Sequence, residues 1–131
     1  LRDRLIAESP QRVQLIPVLE QEIARLAQTA AAPGAGDEYI EIVLRLNRLL
    51  TQAAGNHRLQ AILGSLAVQT VRYTRLGLST PQRRQQSVQN WQSLLRAIQV
   101  GDGDAAERIA RQRVIDSRDA AVEHLREQSA A

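Results

Sequence analysis

Arg113 lies on a stripe that ought to be apolar. Ala106, Ile109, Ala110, Arg113, Ser117, Ala120 and His124 recur at the three- and four-residue spacing of one helix face. A guanidinium keeps its charge under all useful conditions, so one that faces inward requires an anion. Other stripes carry misfits of the same kind. Asn47 interrupts Ile40, Val43, Leu50 and Ala54. Thr70 and Tyr73 follow Leu59, Ile62, Leu63 and Leu66. The only Trp, Trp91, stands between Val88 and Leu95, with Ile98 beyond it and Leu94 beside it. The misfits sit near mid-helix, and mid-helix levels coincide when antiparallel helices pack side by side. Asn47, Thr70, Tyr73, Trp91, Arg113 and Ser117 are therefore expected to converge on one interior region. Arg84, one turn before Val88, is expected at one end of it. None of the stripe residues is Asp or Glu, so the anion expected at Arg113 is a bound ligand. Arginine can hold a carboxylate by two parallel hydrogen bonds. Trp91 can wall the space or stack on the guanidinium.

Taken one at a time, the same residues also have structural uses. Asn47 can pair with a facing group, since an unpaired buried amide costs on the order of 1–3 kcal/mol. Thr70 can bond a carbonyl of its own helix. Trp91 can be plain core, and Arg113 can reach sideways to Asp116, three residues on. Catalysis has less to stand on. His57 follows a Gly–Asn pair and His124 lies near the C-terminal end; two histidines on separate helix ends, without spaced carboxylates, make no metal site. No Gly-rich phosphate loop, nucleophile elbow or paired acids are visible. The expectation is a protein with no catalytic residues and no cofactor.

Gly and Pro divide the chain into helices that would position these side chains. Ser9–Pro10 reads as an N-cap with Pro at the first helical position, and apolar periodicity runs from there to about Ala31. Residues 32–36, APGAG, are a loop. Asp37 is placed to cap a helix that stops at Gly55, a residue suited to a left-handed end. Asn56 caps a third helix reaching Gly77. Thr80–Pro81 opens a fourth, which GDGD at 101–104 closes; Asp102 or Asp104 starts a fifth that passes Leu125. Residues 1–8 read as the tail of a truncated helix. No stretch alternates with the two-residue period of a strand. The predicted fold is an all-α antiparallel bundle of about five to six helices.

The 131 residues make one domain, which buries roughly two-thirds of its unfolded-chain surface. With no Cys there are no disulfides and no thiolate chemistry. No run of about twenty apolar residues is present, so no membrane span is expected. The seventeen basic side chains are all Arg and are scattered, and the net charge is only +3. A nucleic-acid face would cluster them. The chain starts at Leu1 and contains no Met, which reads as a fragment of a longer protein.

AAGN at 53–56, LQAILGSL at 59–66, LLRAIQVGD at 94–102 and DAAERIARQRVIDS at 104–117 follow one another in an order that resembles the FCD domain. This is the C-terminal effector-binding domain of FadR-type regulators in the GntR family. The resemblance covers about residues 10–125. It implies an antiparallel helical bundle, a homodimer, a cytoplasmic location and a winged helix-turn-helix preceding Leu1, through which alone operator DNA would be bound. It also implies a divalent metal held by an Asp and three His. The matching positions here are Val43, Asn47, Trp91 and Arg113, so the resemblance points to a metal-free member. The expected role is binding of a small anionic or acyl effector, with Arg113 standing in for the metal. The alternative is a structural dimerisation bundle with no ligand.

Overall fold

Thr80 and Pro81 show how local chemistry sets the boundaries of this chain. Thr80 is extended, its Oγ1 accepts a hydrogen bond from the Arg83 N–H at 3.2 Å, and Pro81 takes the first helical position. The helix so begun stops at Gly101, whose φ of 75° is left-handed and open to glycine without steric cost. Asp102 then accepts from the Ala105 N–H at 3.0 Å and starts the final helix.

The computed structural model describes residues 2–55, 58, 61, 62 and 67–130, with 67–70 described by backbone alone. Among these residues there are six helices and no strand. They are α1 Arg2–Glu8, α2 Arg12–Ala31, α3 Gly36–Ala53, α4 Ala67–Gly77, α5 Pro81–Val100 and α6 Gly103–Ala130. The all-α bundle expected from periodicity is therefore the fold. The expected cap at Asn56 and the stripe positions Leu59, Leu63 and Leu66, together with His57, lie outside the described residues.

Two predicted starts move. Ser9 does not cap α2; its Oγ accepts from the Gln11 N–H at 3.2 Å in a local turn, and the helix begins at Arg12. Asp37 does not cap α3, because the backbone turns helical one residue earlier, at Gly36. The Asp37 carboxylate instead meets Arg75 of α4 at 3.2 Å.

α2 packs against α3 and α5, while α4 and α5 pack against α6. α1 is short but central: it touches α2, α3, α5 and α6. Its Ile6 and Ala7 are fully buried and join Leu26, Leu46, Leu50 and Ile98 in one core. Arg4 ties α1 to the start of α6. Its Nε donates to Glu107 at 2.7 Å and its Nη2 lies 2.6 Å from Asp104. These hydrogen bonds hold the Glu107 carboxyl below the usual carboxylate range. Arg2–Glu8 is thus a packed element of the bundle, and its position decides what Arg113 meets.

Candidate functional site

Arg113 points inward. Its side chain keeps 15% exposure, and its Cζ stacks over the Trp91 ring at 4.0 Å from the centroid. The carboxylate it meets belongs to Asp3 of α1, with Nη2 to Oδ2 at 3.9 Å. Asp3 is 2% exposed and lies opposite a third charge, Arg2, whose Nε donates to Asp3 Oδ1 at 2.8 Å. Arg2 also reaches α3: its Nη1 donates to Thr51 Oγ1 at 3.4 Å, and that hydroxyl donates to the Asn47 carbonyl at 2.8 Å. One polar thread therefore runs from Trp91 on α5 through Arg113 on α6 and Asp3 on α1 to Asn47 on α3.

This thread is under-supplied with acceptors. Arg113 Nη1 and Trp91 Nε1 are both buried and have no hydrogen-bond partner. A charge-assisted contact is about 2.7–2.9 Å long, so the 3.9 Å pair with Asp3 is a loose one. Burial pushes the Arg113 guanidinium down to about 10; Asp3 opposes that shift and Arg2 adds to it. The group still carries its proton at neutral pH. Asp116 plays no part here, since it accepts from Gln112 at 2.8 Å and Asn90 at 3.3 Å.

Of the residues expected to converge, the structure brings Asn47, Trp91 and Arg113 into this thread. Asn47 is half-buried and its Nδ2 donates to the Val43 carbonyl at 3.2 Å, one turn back on its own helix. The Thr70 side chain lies outside what the structure describes. Tyr73 is a correction: it is 63% exposed, and Ile62 of the same expected stripe is exposed too. Periodicity finds a face without saying which neighbour covers it. Ser117 and Arg84 are corrections as well. Ser117 Oγ accepts from Arg83 Nη2 at 3.4 Å, away from the thread. Arg84 Nη1 donates to the Leu78 carbonyl at 3.0 Å, and its own carbonyl accepts from the Tyr39 hydroxyl at 2.9 Å. Burial pushes the Tyr39 hydroxyl up to about 12.

Sequence reasoning missed Asp3, Arg2 and Tyr39. Asp3 was the acidic partner that the stripes lacked. It was readable only as one of two acids in the opening segment, RDRLIAE, whose buried face is set by the other helices.

Two hollows open elsewhere. One of about 270 Å³ lies among α1, α2 and α3, around Ile6, Arg12, Leu15, Val18 and Leu49. One of about 250 Å³ lies between Asn90, Ser93, Arg108, Ile109 and Gln112. Neither is lined by Asn47, Trp91 or Arg113. The positions that the resemblance assigns to a metal do not suit one. Val43 has no donor atom, Trp91 offers only an N–H, and Arg113 would repel a cation. No group of three or more His, Cys, Asp or Glu able to hold a metal occurs among the described residues.

The FCD domain family model matches residues 4–116. No curated protein and no solved structure matches the chain.

Proposed function

The chain belongs to the FCD domain family, and we propose that it is the effector-sensing and dimerising half of a cytoplasmic GntR-type transcription regulator that binds a small anion at Arg113. FCD domains are regulatory effector-binding domains. The observation that carries the anion reading is the pair of buried donors without acceptors, Arg113 Nη1 and Trp91 Nε1. A buried donor left unpaired costs about 1–3 kcal/mol. A ligand oxygen accepting from either one recovers that cost, which gives an anion a reason to bind here. The family's metal has no set of ligands at the matching positions, so the fixed cation takes over its role in holding a negative group.

Regulation then works by linkage. A ligand that favours one arrangement of α1, α3, α5 and α6 shifts the population of that arrangement, by no more than its difference in affinity. In a homodimer with a DNA-binding domain attached before Leu1, that shift changes the spacing of two heads on operator DNA. This mechanism asks for no catalytic group.

The test is a thermal-shift series with acetate, lactate, succinate and sulfate at constant ionic strength, on the wild type and on Arg113→Gln. At least one of these anions should raise the wild-type Tm and leave the variant unmoved. Equal responses from both chains would remove Arg113 from the site. Elemental analysis of the purified protein should find no stoichiometric zinc, nickel or manganese; finding one would overturn the metal-free reading. A second reading, a structural bundle with no ligand, is favoured by one observation: Asp3 already gives Arg113 a carboxylate from within the chain. A wild type insensitive to every anion tested would support it.

A further inference from the structure

The charges around Arg113 can be counted, and the count bears on ligand class. Among the described residues, the charged groups that meet the Asp3 carboxylate are Arg2, at 2.8 Å, and Arg113, at 3.9 Å. Two arginines against one aspartate leave one net positive charge. That charge lies in a nearly closed place: side-chain exposures are 16% for Arg2, 2% for Asp3 and 15% for Arg113. An uncompensated charge away from water is costly, and so is an excess of the opposite sign. One negative charge makes the cluster neutral. Two make it anionic, against the buried Asp3 carboxylate.

Resting on the reading of Arg113 as the effector site, we propose that Asp3 sets the ligand's charge, so that the site selects a small monoanion such as a monocarboxylate over dianions. The two free donors fit that choice. The guanidinium lies over the indole, with Cζ 4.0 Å from the ring centroid, so Arg113 Nη1 and Trp91 Nε1 belong to one stacked pair of side chains. A carboxylate has two oxygens and can give one to each donor. Asp3 itself stays in place, held through Oδ1 by Arg2, and keeps its loose contact with Nη2. It acts as a specificity-determining residue that need not touch the ligand. The charge balance points to a ligand with a single negative charge.

The experiment compares acetate with succinate at fixed ionic strength and pH, read by titration calorimetry on four chains: wild type, Asp3→Asn, Arg2→Gln and Arg113→Gln. The wild type should bind acetate more tightly than succinate. Asp3→Asn raises the cluster by one charge and should shift the preference toward succinate by roughly tenfold or more, the effect of one added charge at short range in a partly buried site. Arg2→Gln lowers the cluster by one charge and should weaken acetate by a similar roughly tenfold factor. Arg2 is the most exposed of the three, so this variant serves if Asp3→Asn does not fold. Arg113→Gln should bind neither anion. If Arg113→Gln binds as the wild type does, the effector reading itself fails. If Arg113→Gln is silent but Asp3→Asn and Arg2→Gln keep the wild-type preference and affinity, only the charge-selection inference fails. A wild type that prefers succinate, or that binds neither anion, overturns that inference as well; if lactate and sulfate also leave the wild-type Tm unmoved, the effector reading falls with it.

Discussion

Two of the arginine centres in this bundle are built on opposite terms. At the α4–α5 corner, Arg83 gives its Nε to the Gly77 carbonyl at 3.0 Å, Nη1 to Gln86 at 2.6 Å and Nη2 to Ser117 at 3.4 Å. Its neighbour Arg84 gives Nη1 to the Leu78 carbonyl. These guanidiniums satisfy backbone carbonyls where one helix ends and the next begins. At the α1–α6 centre, Arg113 touches no carbonyl, reaches its carboxylate only at 3.9 Å and leaves Nη1 unpaired. Burial lowers the affinity of both Arg83 and Arg113 for their protons, yet only Arg113 is left short of acceptors. The shift alone does not separate a structural arginine from a candidate binding one; the list of partners does.

Removing Asp3 should break the comparison most sharply. Asp3→Ala leaves Arg113 buried with no carboxylate, and losing one partner of a buried pair costs about 3–5 kcal/mol. Asp3→Leu with Arg113→Leu removes that pair and leaves Arg2 as the one charge of the cluster, whereas Asp3→Ala leaves two arginines without their carboxylate, so the double variant should cost less. Chemical denaturation of the two variants measures the difference. Similar losses in both would mean that packing, and not charge, dominates the centre.

A smaller effect is expected at the saturated corner. A Cβ on Gly77 would lie 3.0 Å from the Ser117 carbonyl oxygen and 3.2 Å from its Cα, so α4 and α6 cross with no room for a side chain. Gly77→Ala should cost about 1–3 kcal/mol by forcing the two backbones apart. It should leave any anion response untouched. An altered anion response in Gly77→Ala would mean that the two centres are coupled through α6.

The contrast also explains what could be read in the sequence. Thr80, Pro81, Gly101 and Asp102 act on neighbours within a turn, so their chemistry predicts their structure. Trp91 and Arg113 were legible as inward-facing, because spacing along one helix settles which residues share a face. The identity of the partner was not legible. Asp3 meets Arg113 only because α1 is wedged among α2, α3, α5 and α6, and that depends on the packing of four other elements. Tyr73 failed for the same reason in reverse: it has helical spacing but lies on an uncovered side. Ser9 and Asp37 were near misses of another sort. Each is a good cap residue, displaced when the backbone entered its helix two residues later or two residues earlier than the cap rule placed it.

The two centres should also show opposite signs in alkali. Tyr39 is fully buried, and burial raises its hydroxyl from 10.0 to about 12. The unfolded chain then loses that proton first, so the stability Tyr39 contributes is present below pH 10 and is lost as pH rises toward 12. Arg113 runs the other way. Burial lowers its guanidinium to about 10, so the cost of its buried charge is present below pH 10 and is relieved as pH rises above that. The two contributions have opposite signs, and Arg83 adds one of the same sign as Arg113. The chain has no Lys and no Cys, which keeps this window free of their titrations. Wild-type stability should therefore change less across pH 10–12 than that of a chain lacking either the Tyr39 or the Arg113 contribution. Tyr39→Phe removes the falling component, so stability should rise across the window. Asp3→Leu with Arg113→Leu removes the main rising one, so stability should fall. Urea midpoints at intervals across that range measure all three slopes. Parallel curves for the three chains would show that neither burial shift survives in solution.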